Sequence, residues 1–266
     1  MQYLRDLTLG RYVSRDSLLH SLDPRTKLIC ALLFMIAVFF ISNIGGIVLF
    51  LLLVVSLYPL AKIPLRFLWG NIRVFLWLYA VTFFIHVFLH PGDALVRLPL
   101  LGWEVTAEGI AAGVLFTVRI AILVSLSALL MSVTMPQDLT DGIEKLLRPL
   151  ERLKVPVSEG ALMVSIALRF VPILMQEAVK IQRAQMARGA DLEGGWMVRI
   201  KKSLPMILPL FSGALKKADD LALALEARAY RGGRGRTQLA VLRMTGRDLS
   251  ALALATGITL GFAFLR

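Results

Sequence analysis

Two arginines 40 residues apart, Arg188 and Arg228, stand in matching settings near the ends of long helical patterns. The first lies in Ala184-Gln185-Met186-Ala187-Arg188-Gly189 and the second in Ala224-Leu225-Glu226-Ala227-Arg228-Ala229. At the same offset Ala178 matches Ala218 and Ile181 matches Leu221. The shared form, Ala-x-x-Ala-Arg-small, puts two alanines and the arginine on nearly one helical face. Small side chains let a partner's backbone come close, and the guanidinium offers a rigid fork of five donors to a carboxylate or carbonyl cluster. A single arginine near a helix carboxyl end does no more than complement the helix dipole. Two aligned copies point instead to a protein-docking device presented twice.

Other residues with chemical potential are weaker. His86 and His90 have a spacing that could hold a metal, but no third ligand is evident nearby, so no metal is expected. Arg119 falls in the middle of an apolar stretch, where an unpaired arginine costs about 2.5–3.5 kcal/mol. It must face protein or water, either a partner subunit or, the favoured reading, backbone carbonyls of its own bundle. Arg73 is expected to snorkel to the headgroups. The run Arg231 to Arg236 resembles an RNA-binding tract but lacks interleaved aromatics beyond Tyr230, so a solvated loop near anionic lipid is expected and nucleic acid is not. There is no Gly-x-x-x-x-Gly-Lys-Ser/Thr loop, so nucleotide must be bound by another chain. No Asp or Glu lies in the core of an apolar stretch, where proton- or sodium-driven carriers usually need one. Neither catalysis nor a cofactor is indicated, and the one cysteine, Cys30, can form no disulfide within the chain.

The elements that must carry these residues are membrane helices. Of the 266 residues, 57% are hydrophobic, well above a typical soluble domain. Five apolar stretches approach the length that crosses a bilayer core: 28–42, 44–60, 72–89, 109–135 and 249–265. Asp23 followed by Pro24 is a good helix start. No small-residue cleavage site follows the first stretch, which is expected to be retained. Positive charge sets the orientation. Arg5, Arg11, Arg15, Arg25 and Lys27 precede the first stretch, and Lys62 and Arg66 follow the second. The 90–108 loop carries Arg97 against Asp93, Glu104 and Glu108. The amino terminus is therefore expected in the cytoplasm. Residues 136–248 then lie there too, with 19 Lys and Arg against 12 Asp and Glu, the largest share of the formal charge of +12.

This yields an all-α fold: a membrane bundle over 1–135, a helical cytoplasmic coupling domain over 136–248, and a last span over 249–266. Within the coupling domain, Thr134 with Gln137 makes a capping box before a stripe of Leu139, Ile143, Leu146, Leu147, Leu150 and Leu153. A second helix runs from about Ser158 through Pro172 to Arg188, where Gly189 supplies a left-handed stop. A third runs from about Trp196 past Pro205 and Pro209. Ala229 stands where a left-handed stop would want glycine, so this helix is expected to continue to Gly232.

These residues resemble the transmembrane T component of energy-coupling factor (ECF) transporters, ATP-driven micronutrient importers, over most of the chain. Leu22-Asp23-Pro24-Arg25-Thr26-Lys27-Leu28 is similar to the family's lead into its first span, and Leu168-Arg169-Phe170-Val171-Pro172 to its mid-domain signature. Ala187-Arg188-Gly189 and Ala227-Arg228-Ala229 are similar to its paired motifs at the ends of two coupling helices, with Ala229 departing from the common glycine. The resemblance implies that each arginine docks on one of two ATP-binding-cassette ATPases and that the rest holds a small membrane-embedded S component, which Arg119 could also contact. It implies import of a vitamin or metal ion across a prokaryotic cell membrane, with the lipid bilayer as the further partner. The rival expectation is a self-sufficient channel or carrier whose cytoplasmic domain is regulatory.

Overall fold

The computed structural model describes residues 13, 15–89, 91, 94–98, 103–189, 196–230, 232 and 244–264. They fall into two compact units, one of residues 1–146 and 241–266 and one of residues 147–240.

The first unit is a helical bundle. Helix α1 (Pro24–Phe40) opens where Asp23 caps it, the carboxylate accepting from the Arg25 N–H and Pro24 filling the first turn. Helix α2 (Ile44–Leu60) is capped by Asn43, and α5 (Ala107–Val133) by Thr106, whose hydroxyl accepts from the Gly109 N–H at 2.9 Å. The carboxyl end of α9 (Gly246–Phe264) returns to the same core, where Phe34, Val38, Ile47, Phe50, Ile122, Leu126 and Ala255 pack together. Tyr58 adds a hydroxyl donor to the Ser125 carbonyl at 2.8 Å, tying α2 to α5. Large side chains such as Leu32, Phe39, Leu49, Trp77 and Leu254 are exposed on the outside, the inverse of a water-soluble domain and the pattern a lipid-facing surface requires.

The expected third span is not one straight helix. It breaks at Phe75 into α3 (Leu65–Val74) and α4 (Leu76–Leu89), bent by 61°. The residues of α3 explain this. Arg66 and Arg73, seven residues apart, give it a polar face that hydrocarbon would not accept, whereas α4 is apolar nearly throughout. Helix α4 then packs closely on α5, because Gly109 and Gly113 lie one turn apart against it. A Cβ on Gly109 would come within 2.9 Å of the Val87 carbonyl, and one on Gly113 within 3.2 Å of that of Phe83. Between α4 and α5 the acidic loop forms a two-stranded antiparallel hairpin, β1 (Ala94–Leu98) with β2 (Trp103–Thr106), in a register that sets Arg97 opposite Glu104.

Helix α6 (Pro136–Leu147) corrects two expectations. Pro136 takes its first position, so Thr134 caps no helix start. It ends α5 instead, its N–H donating to Leu130 and its hydroxyl making no hydrogen bond. The apolar stripe expected to reach Leu153 on one helix is cut at Arg148, where Pro149 cannot donate, and continues as a 3-10 turn (Arg148–Leu153).

The described residues of the second unit form that turn and two long helices, α7 (Val157–Ala187) and α8 (Trp196–Ala227). None of their described side chains is buried. By length and composition α5 and α7 could each cross a membrane, and the α3–α4 pair would do so if taken as one span. Helix α2, at 17 residues, is a shorter apolar helix.

Candidate functional site

Both arginine motifs sit at true helix ends. Helix α7 stops at Ala187 with Arg188 as its C-cap; the Arg188 N–H donates to the Ala184 and Gln185 carbonyls, and the Gly189 N–H to Met186 at 3.0 Å. Gly189 has φ +88°, the left-handed conformation that closes a helix.

Helix α8 stops at the equivalent place, Ala227, and not at Gly232 as its sequence led one to expect. Ala229 itself takes the left-handed conformation, at φ +55°. Its N–H donates to Glu226 at 2.8 Å and that of Tyr230 reaches back to Leu225 at 3.0 Å, the two bonds of a Schellman motif. A left-handed alanine costs about 1–2 kcal/mol. Two hydrogen bonds to otherwise orphaned carbonyls, each worth about 1 kcal/mol, offset it. Replacing Ala229 with glycine should therefore raise protection of the α8 terminus in amide hydrogen exchange by about 0.5–1 kcal/mol, and Gly189→Ala should lower that of α7 by a similar amount. Equal protection in variant and parent would sink this account of the helix stop.

The two ends are related by more than sequence. Glu177 on α7 and Lys217 on α8, which the 40-residue offset also equates, form an ion pair at 3.5 Å. Each arginine lies 11 residues beyond its member of that pair, about 16 Å along the helix. The bridge was missed in the sequence, although the same offset carried its signal. Ala187, Arg188, Gly189, Ala227, Arg228 and Ala229 are all exposed, and neither arginine has an ion-pair partner among the described residues. Two equivalent cations are thus held out on rigid helix ends, each flanked by small residues. That arrangement can seat in a receiving groove.

The remaining candidates have local partners. Arg119, half-buried on α5, donates from Nη2 to the Ile41 carbonyl at 2.7 Å and lies over the rings of Phe116 and Phe39, 4.9 and 5.7 Å from their centroids. The Ile41 carbonyl is left free because α1 has just ended. His86 hydrogen bonds through Nδ1 to the Thr82 carbonyl and stacks on Phe116 at 4.3 Å. His90 lies outside the described residues, as does the Arg231 to Arg236 run apart from Gly232.

A cluster absent from the sequence reading joins the first helix to the last. Asp248, 1% exposed, accepts from the Asp23 N–H at 2.7 Å and from the N–H and hydroxyl of Thr245, both at 2.7 Å. Thr245-x-x-Asp248 ahead of an apolar run is a capping pattern, and it was the available signal.

Comparison with known proteins gives the family. Residues 15–239 match the family model CbiQ, described as cobalt transport protein. The chain is similar to the energy-coupling factor transporter transmembrane protein EcfT of Bacillus subtilis, at 40% identity over 262 residues and 98% of each chain. It is also similar to that of Heliobacterium modesticaldum, at 41% over 257 residues and 96% of each, and to that of Thermosediminibacter oceani, at 40% over 256 residues and 96% of each.

Proposed function

The chain belongs to the CbiQ family and is the transmembrane T component of a prokaryotic energy-coupling factor transporter; from that premise we propose that Arg188 and Arg228 anchor two ATP-hydrolysing subunits and transmit their motion to a membrane-embedded S component. The observation that carries this reading is the equivalence of the two helix ends, each an exposed, uncompensated arginine held by the same kind of left-handed stop. Two like anchors suit two like receivers.

The long helices support the rest. Helical stability usually comes from packing an apolar face, yet α8 leaves Leu204, Ile207, Leu208, Phe211 and Leu215 at least half exposed along one side. A contiguous apolar stripe of this kind is a partner-binding surface, and a small hydrophobic S component is the partner we assign to it. Force then passes from the arginine tips through α7 and α8 as packed bodies, with Pro172, Pro205 and Pro209 as the positions where the helices can flex. Hydrolysis takes place in the partner chains and this subunit is not catalytic. The amino terminus and residues 136–248 are cytoplasmic, so α7 lies outside the bilayer despite its length, and the cargo is a micronutrient, either a vitamin or a metal ion.

Affinity purification of the tagged chain in mild detergent tests this. Two ATPase chains and a small hydrophobic subunit should co-purify, and the isolated chain in liposomes should carry no flux. Substrate flux by the chain alone would replace this reading with that of a self-sufficient carrier.

A further inference from the structure

We infer that the cleft at the end of the bundle where α1 and α9 begin and α2 ends is a binding site for the phosphate of an anionic phospholipid headgroup. The cleft, about 770 Å³, is lined by Arg15, Lys62 and Arg247 against a single carboxylate, Asp16. None of the three cations has an ion-pair partner among the described residues, so their charge is available to a ligand.

The backbone at Lys62 is the sharper sign. Helix α2 closes with a Schellman motif, the Lys62 N–H donating to Pro59 at 2.9 Å and the Ile63 N–H to Tyr58 at 3.0 Å. Lys62 occupies its left-handed position at φ +57°, where glycine would sit without strain. Lys62 lines the basic cleft, so its replacement by glycine would relieve the strain and remove a cation from the cleft together. His20 contributes order and not charge. Its Nδ1 pairs with the Ser17 hydroxyl at 2.7 Å and its Nε2 with the Val13 carbonyl at 2.9 Å, while burial lowers its pKa.

Two features select a lipid over a soluble phosphate. Leu18 and Leu60, 61% and 50% exposed, line the same cleft and offer an acyl chain an apolar approach. The cleft also lies where apolar helices begin and end, at the depth where headgroups sit. Arginine forks and a lysine point charge are the donors that phosphate recognition employs.

The test is native mass spectrometry of the full chain released from mixed micelles containing equal phosphatidylglycerol and phosphatidylcholine. The parent should retain one phosphatidylglycerol in preference to phosphatidylcholine. Lys62→Gly and Arg247→Gln should each lower that preference about fivefold. The glycine variant should melt no lower than the parent, which separates loss of the ligand from loss of the fold. No preference in the parent, or full preference in both variants, would overturn the proposal. If millimolar inorganic phosphate protects the parent from heat as well as phosphatidylglycerol does, the site reads a free anion and the lipid assignment falls.

Discussion

Replacing Arg188 and Arg228 together with alanine is expected to release the ATPase subunits and abolish ATP-driven uptake while leaving the melting temperature of the chain unchanged. Both side chains are exposed and have no ion-pair partner among the described residues, and surface changes of this sort stay within about 0.5 kcal/mol. At an interface the balance differs. Truncating one partner of a buried, hydrogen-bonded charge pair costs about 2–5 kcal/mol, a loss of roughly 30-fold or more in affinity per arginine. The single variants should weaken assembly by similar factors, because both arginines are C-caps of the same type and lie equally far from the Glu177–Lys217 bridge. Co-purification of the ATPases and uptake in reconstituted vesicles measure this together. A double variant that still assembled and transported normally would end the docking proposal.

The second large effect is structural. Asp248→Ala should destabilise the bundle by about 2–4 kcal/mol, since it strands the buried Asp23 N–H and removes the reciprocal cap of α9. Asp248→Asn keeps the shape and one acceptor and should cost less. Burial would by itself raise the Asp248 carboxyl, but the hydrogen bonds from Thr245 and Asp23 outweigh it and hold the group below its ordinary value of 3.8. A carboxylate whose folded pKa is depressed stabilises fully above its unfolded pKa, and the contribution is lost as pH falls through the folded one. Parent protein should therefore lose melting temperature below about pH 4 more steeply than Asp248→Asn does. Parallel pH profiles for the two would show that the buried carboxylate contributes nothing to closure.

Much of this protein is legible along the chain. Apolar run length depends on consecutive residues, so the stretches that became α1, α2, α5 and α9 are visible without a fold. The arginine repeat is likewise visible, because a fixed offset is a one-dimensional property. The bend at Phe75 was half legible, since Arg66 and Arg73 mark a polar face that apolar run length over 72–89 does not register.

Contacts between distant segments were not. Asp248 meets Asp23 across 225 residues, and Arg119 finds the Ile41 carbonyl across 78. The stop at Ala229 was hidden for a different, local reason. Local propensity argues that alanine should carry the helix onward, whereas two backbone hydrogen bonds at the turn outweigh that preference. What the amino-acid sequence determined by itself was that two arginine-bearing helices exist. Only the tertiary structure decided that they end alike, because a helix terminus is settled by which carbonyls find a donor and not by the residue type at one position.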